Sequence, residues 1–256
     1  MKPARLLPHT RAMARHAATL ATVLAVSTVP TVARAQWSAC TSDQVPPPLA
    51  VMERFMSADC EACWGEPATP SPQAPALVLD WIVPTEAGDE APLSTAATRD
   101  ALARLQAVGR PVPESTDVFT APVPPALPGH APTSAAARPA LRLALGPAIN
   151  DYVAASVRVR APLQPATFWL ALVEAIPPGS EGTLVPRFVV RNTFSRPMDG
   201  REQLSKWKQK PPQNGWWQQI IPMRIPEGAR PERLRLMGWV ETAPGEVLAG
   251  AHTVCR

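Results

Sequence analysis

Histidine is scarce in this chain of 256 residues. There are four in all, and only His130 and His252 lie beyond residue 35. A Ser-His-Asp or Cys-His hydrolytic site would have to use one of these two, and neither Gly-x-Ser-x-Gly nor His-Glu-x-x-His occurs. A phosphate loop is also missing, since Gly179-Ser-Glu-Gly182 reads as a hairpin turn. No apolar stretch is long enough to cross a bilayer. The run Ala17 to Val29 has 13 residues, where a spanning helix needs about 20, so no integral membrane segment is expected. An excess of positive charge is lacking too, although the whole chain sums to +4. Five of its 25 basic residues (Lys2, Arg5, Arg11, Arg15, Arg34) and none of its 21 acidic ones fall in residues 1–35, and the remainder carries −1. That balance argues against a nucleic-acid or membrane-surface partner.

What is there begins with a targeting pattern. A basic stretch, the short apolar run and the small-x-small site Ala33-Arg34-Ala35 form a signal peptide over residues 1–35, with the mature chain starting at Gln36. No twin-Arg pair is present, and Cys40 lacks the apolar lead-in of a lipoprotein site. The expected location is periplasmic or secreted. All four cysteines, Cys40, Cys60, Cys63 and Cys255, lie in the mature part, and an even number in an oxidising compartment implies disulfides. Three pairings are open. Closing the near pair Cys60–Cys63 leaves Cys40 with Cys255, a long loop whose closure stabilises by about 4–5 kcal/mol in the chain-entropy model; this pairing is favoured.

Thirty-three prolines cluster after Cys63 and again between Pro111 and Pro132, marking extended chain. Pro47 to Met56 and Leu77 to Val83 carry strand signals, the second apolar enough to be buried on both faces. A helix is expected from a Ser94 or Thr95 cap to Val108, stopped by Gly109, then a short strand at Asp117–Thr120 and a second helix over Ala135–Leu145. From about Val153 the pattern turns to strands alone: Ser156–Arg160, Thr167–Val173, Leu184–Arg191, Trp216–Ile221, Leu234–Val240 and Val247–Val254. The layout expected is an α/β half over 36–150 and an all-β, sandwich-like half over 151–256.

The chemistry centres on Asp59-Cys60-Glu61-Ala62-Cys63-Trp64. Two thiols at this spacing can open and close a small ring. Met52-Glu-Arg-Phe-Met-Ser57 followed by this CxxC resembles the Glu-Leu-Phe-Thr-Ser…CxxC opening of an uncharacterised family of secreted bacterial proteins. Leu77 to Trp81, Thr183-Leu184 with Phe188–Arg191, and Gly245–Ala251 are similar to further segments of that family. The resemblance implies a thioredoxin-like α/β N-terminal half, a β-rich C-terminal half and a candidate redox site. In that fold a proline in cis faces the pair; Pro122 is the first candidate and Pro124 the next. The chain departs from the family after Cys63, where prolines up to Pro75 leave little room for a helix. Without a helix, and with Asp59, Glu61 and Glu66 beside it, the Cys60 thiolate is disfavoured.

Two functions follow. One is an exported thiol–disulfide oxidoreductase with Cys60 attacking and Cys63 resolving, its partner a protein thiol or disulfide. The other is a redox-inactive binding or scaffold protein of the cell envelope with a structural Cys60–Cys63 bond. A metal site on the pair would need further soft ligands such as Met52 and Met56, which read as core, so no metal or other cofactor is expected. Trp207 among lysines, with Trp216 and Trp217, admits a ligand surface. Against it, Trp216 and Trp217 as strand neighbours face opposite sides. Intact-mass analysis of the exported protein is expected to show Gln36 as its first residue; retention of residues 1–35, or a lipid on Cys40, would contradict the cleavage site.

Overall fold

Period-two alternation of apolar side chains dominates this chain, and it builds two sheets. The computed structural model describes residues 40–66, 75–125, 140–162, 164–198 and 215–255. The expected signal peptide, His130, Trp207 and most of the proline-rich stretch after Cys63 lie outside them. The described strands are β1 (Cys40–Thr41), β2 (Ala50–Ser57), β3 (Ala76–Val83), β4 (Thr116–Pro122), β5 (Leu141–Ile149), β6 (Tyr152–Arg160), β7 (Ala166–Ile176), β8 (Arg187–Met198), β9 (Trp216–Arg224), β10 (Leu234–Glu241) and β11 (Val247–His252). Two helices accompany them, α1 (Glu61–Gly65) and α2 (Arg99–Ala107).

One sheet has four strands in the order β1-β5-β6-β9, and the other seven in the order β11-β10-β7-β8-β3-β2-β4. β2 and β3 run parallel in register from Ala50↔Ala76 to Ser57↔Val83, and β4 returns antiparallel on the outer side of β2. The four-stranded sheet packs through Leu141, Leu143, Val157 and Trp217 onto Phe168, Leu170, Leu172 and Leu236 of the larger one. On the opposite face α2 inserts Ala101 and Leu105 against Phe55, Leu79 and Trp81. Burying faces of this size at about 25 cal/mol per Å² supplies most of the driving force.

The expected α/β thioredoxin-like half is not what forms. The protein is mostly β, and β2, β3 and β4 belong to the same sheet as β7, β8, β10 and β11. The boundary set between residues 150 and 151 falls in the two-residue turn of the β5–β6 hairpin, where Asn150 and Asp151 both take positive φ, as such turns require. The helix expected over Ala135–Leu145 is likewise replaced, in its described part, by β5. Leu141, Leu143 and Leu145 alternate onto the core, so period two prevails over the one-turn spacing of Leu141 and Leu145. α2 forms inside the expected range, but its cap is Thr98, whose side chain accepts from Ala101 N–H. The residues before it form a separate 3-10 turn, Ser94–Ala96.

Charges thread this core. Arg104 of α2 is fully buried between two carboxylates. Its guanidinium donates to Glu53 from Nε at 2.8 Å and Nη2 at 2.6 Å, and to Glu241 from Nη1 at 2.5 Å and Nη2 at 3.1 Å. It also lies 4.7 Å from the Trp169 ring and 5.2 Å from Trp239, which stack on each other. The Trp81 and Trp239 indole N–H groups complete the carboxylates, donating to Glu53 and Glu241. Burial raises the Glu53 pKa, against the pull of Arg104. Burial also opposes the Arg104 charge, but Glu53 and Glu241 outweigh it and raise its pKa. Replacing Arg104 by Leu strands two buried carboxylates and is expected to cost about 3–5 kcal/mol in urea unfolding. A loss below about 1 kcal/mol, the range of exposed pairs, would show that the cation is dispensable.

Candidate functional site

The CxxC sits where the parallel pair β2–β3 ends. Ala58 N–H donates to Val83 O at 2.9 Å, and Leu93 N–H donates to Ala58 O at 3.0 Å, tying the strand exit down from two sides. Cys60 N–H then bonds Ser57 O at 3.0 Å and turns the chain into α1. Cys60 is the cap of this helix, its Sγ accepting from Cys63 N–H at 3.3 Å. The chain thus makes a single helical turn after Cys60, where none was expected. Asp59 accepts from Thr85 Oγ1 at 2.9 Å, and Glu61 is exposed.

The structure joins Cys60 to Cys63 and Cys40 to Cys255, and no described cysteine is free. The two bonds sit in different surroundings. Cys60 and Cys63 are both half-buried, and Cys40 is buried within the four-stranded sheet, in β1. The Cys40 and Cys255 Cα atoms are 3.9 Å apart, well inside the expected limit of about 7 Å.

The CxxC turn is also held by contacts that do not involve its sulfurs. Trp64 is buried, and its indole N–H donates to Glu181 O at 2.6 Å. It packs beside Gly182, whose φ of +78° is the left-handed region that glycine enters without a Cβ penalty. Arg187, the first residue of β8, is fully buried under the turn. Its Nη2 donates to Cys63 O at 2.9 Å, Trp64 O at 2.8 Å and Glu66 O at 3.3 Å. These carbonyls lie at the C-terminal end of α1 and at its cap Glu66, where the helix supplies no further N–H to bond them. Behind Arg187 stands Asp80, 3.7 Å from its Nη1. Asp80 is also gripped by Arg54 through Nε at 2.7 Å and Nη2 at 2.9 Å, and it accepts Phe188 N–H at 2.6 Å. Burial lowers the Arg187 pKa against the pull of Asp80, and nearby Arg54 lowers it further. A shallow cleft of about 280 Å³, lined almost entirely by apolar surface of Ile176, Pro177, Pro186 and Phe188, shares Arg187 with the turn.

Pro122 does not join the pair. It pairs with Ala50 at the start of β2, about 23 Å of strand from Ser57 at 3.3 Å per residue, and no described peptide bond is cis. Pro124 follows on the same far side. Met52 and Met56 are buried in the core, and among the described residues no three His, Cys, Asp or Glu side chains converge as metal ligands. Trp217 is buried against Phe168, 5.8 Å between ring centroids. Trp216 points to the other side, covered by Arg158 at 4.6 Å and Arg160 at 5.8 Å. No described helix is long and apolar enough to cross a membrane.

Sequence reasoning missed Arg54, Asp80 and Arg187. The signal was present for two of them: a charge inside a near-continuous apolar strand must find a partner. No family model matches the sequence, and no curated protein does. Among solved structures, HBP35 of Porphyromonas gingivalis is similar with a TM-score of 0.45 at 9% identity, over 80% of this chain and 74% of that one. A protein of Agrobacterium tumefaciens gives 0.38 at 11% identity, over 81% and 95%. Likenesses of this size assign neither family nor function.

His252, on the edge strand β11, is half-buried with an unpartnered Nδ1, and burial lowers its pKa. A depressed histidine contributes stability above its unfolded pKa and loses it as pH falls through the folded one. Between pH 7 and pH 5 the urea midpoint of the wild type should therefore fall further than that of His252→Leu. Equal slopes would show that His252 titrates as in the unfolded chain.

Proposed function

We propose that the protein is an exported thiol–disulfide exchange protein whose reactive bond joins Cys60 and Cys63. The observation that supports this reading is the anchoring of the turn by Arg187 and Trp64 through main-chain carbonyls and an indole N–H. None of these bonds involves sulfur, so the disulfide can open while the turn keeps its shape. Both sulfurs belong to residues that are half-buried rather than enclosed in the core. In the reducing direction the Cys60 thiolate attacks one sulfur of a partner protein's disulfide, and the other partner sulfur leaves and takes a proton. Deprotonated Cys63 then attacks Cys60 Sγ, the partner's remaining sulfur departs as thiolate, and the Cys60–Cys63 bond is restored. Two electrons pass to the partner; the reverse sequence oxidises a partner dithiol.

Speed is set by opposing local effects. Asp59 and Glu61 bring negative charge to the segment that carries Cys60, while the Cys63 N–H donates to its sulfur. Exchange is expected to be slow beside that of an activated cysteine. Two disulfides support an oxidising compartment, periplasmic or secreted. The resemblance to the secreted CxxC family belongs to the same reading. The carboxylates next to the pair favour a second one, an envelope binding or scaffold protein with a static bond.

The reduction potential of Cys60–Cys63, measured in the folded chain with Cys40–Cys255 intact, decides between them. A value above about −300 mV, with exchange lost in Cys60→Ser, supports the exchange reading. A lower value, or reduction only together with unfolding, assigns the pair a static role.

A further inference from the structure

Arg187 reaches the CxxC turn from beneath, on an element remote in sequence, and it brings a charge as well as hydrogen bonds. Its guanidinium bonds the carbonyl of Cys63 itself, stacks 5.7 Å from the Trp64 ring and continues into Asp80 and Arg54. Within this bonded chain two guanidiniums share one carboxylate, all three side chains being buried. The disulfide is neutral and gains nothing from a neighbouring cation. A thiolate gains directly, because a buried cation is screened far less than one in water. We infer that Arg187 is the positioning residue that tunes the Cys60–Cys63 pair, favouring its reduced, thiolate form through charge placed under the turn, with Asp80 as the counterweight that limits the effect.

This inference rests on the exchange reading above and extends it. The other charged groups around the turn act in the opposite sense or are otherwise engaged. Asp59, Glu61 and Glu66 are negative on its own segment, with Asp59 bonded to Thr85. Glu86, Asp89 and Glu90 are exposed on the segment after β3. From the β7–β8 connection Glu181 faces Trp64 with its carbonyl and gives its carboxylate to Arg233 and Arg230. Among the described residues Arg187 is thus a cation bonded to the turn, and Asp80 is a carboxylate paired with it.

The experiment is the pH dependence of iodoacetamide alkylation of the pair in the full chain. The pair is reduced by a dithiol, Cys40–Cys255 is kept intact, and folding is checked by near-UV circular dichroism. The midpoint belongs to the coupled pair rather than to either thiol. Arg187→Met removes the charge and should raise the midpoint by at least about half a pH unit, which at fixed pH is about a threefold smaller thiolate fraction. Asp80→Asn leaves the guanidinium without its counter-charge and should move the midpoint down. Arg187→Lys keeps the charge and loses the fork, so its midpoint should stay near the wild type. A purely structural Arg187 predicts something else: every loosened variant drifts the same way, toward the free thiol. Shifts of one sign in Arg187→Met and Asp80→Asn, or no shift in Arg187→Met, overturn the inference. If Asp80→Asn does not fold, the two Arg187 variants decide it, and a lysine shift as large as the methionine one overturns it. A wild-type pair that resists reduction until the chain unfolds removes the exchange reading itself, and this inference with it.

Discussion

A carboxylate in the middle of a central strand is unstable unless its surroundings are built to receive it, and at Asp80 that requirement joins the chain's early and late strands. β3 and β8 share a single paired position, Asp80↔Val189, too little ladder to hold two strands by main-chain bonds alone. The Asp80 side chain supplies the rest, accepting the Phe188 N–H of β8 while Arg54 of β2 grips it from the other side. Three neighbouring strands are therefore sewn at one side chain. Arg187, next to Phe188, is placed by the same contact, so the support of the CxxC turn is a consequence of how the large sheet is closed.

The second ionic cluster plays a matching part on the opposite face. Glu53, Arg104 and Glu241 come from β2, α2 and β10, and three indoles wall them in. Removing charges from water is costly, and well-packed apolar side chains would serve stability as well or better. What the charges add is register. Glu53 and Arg54 are adjacent and face opposite sides of β2, so a slip of one residue would send Glu53 toward Asp80 and Arg54 toward Arg104. Each such slip pairs like charges in a dry core. The helix is tied in the same manner at its start, where Asp100 accepts both the N–H and the hydroxyl of Thr193 in β8.

Much of this was legible in the residues, and the parts that were not have a common cause. The strands beyond Val153 announce themselves because alternation and turn residues are both local, and β6, β7, β9, β10 and β11 form where the pattern placed them. The disulfide pairing, one of three possible, was favoured by the even count and the closeness of Cys60 to Cys63. Leu141 to Leu145 was ambiguous, since leucines four apart satisfy a helix and a strand alike, and only the sheet beneath them chooses. The adjacency of β3 and β8 is a contact between segments about a hundred residues apart, on which local pattern is silent. The same holds for the site: the cysteines were visible as a motif, while Arg187 was one arginine among many until the fold carried it under Cys63. Pro122 was placed by analogy with another fold, and the antiparallel course of β4 puts it at the wrong end of β2.

The bond between Cys40 and Cys255 spans 215 residues, and with Thr41 and Val254 paired beside it it turns the chain between them into a ring. A ring has no end from which to fray. A single proteolytic cut in any loop between these cysteines opens the ring but releases no fragment, and both pieces remain held by the core they share. Two cuts are needed before anything leaves. Resistance of this kind comes from connectivity rather than from added contacts.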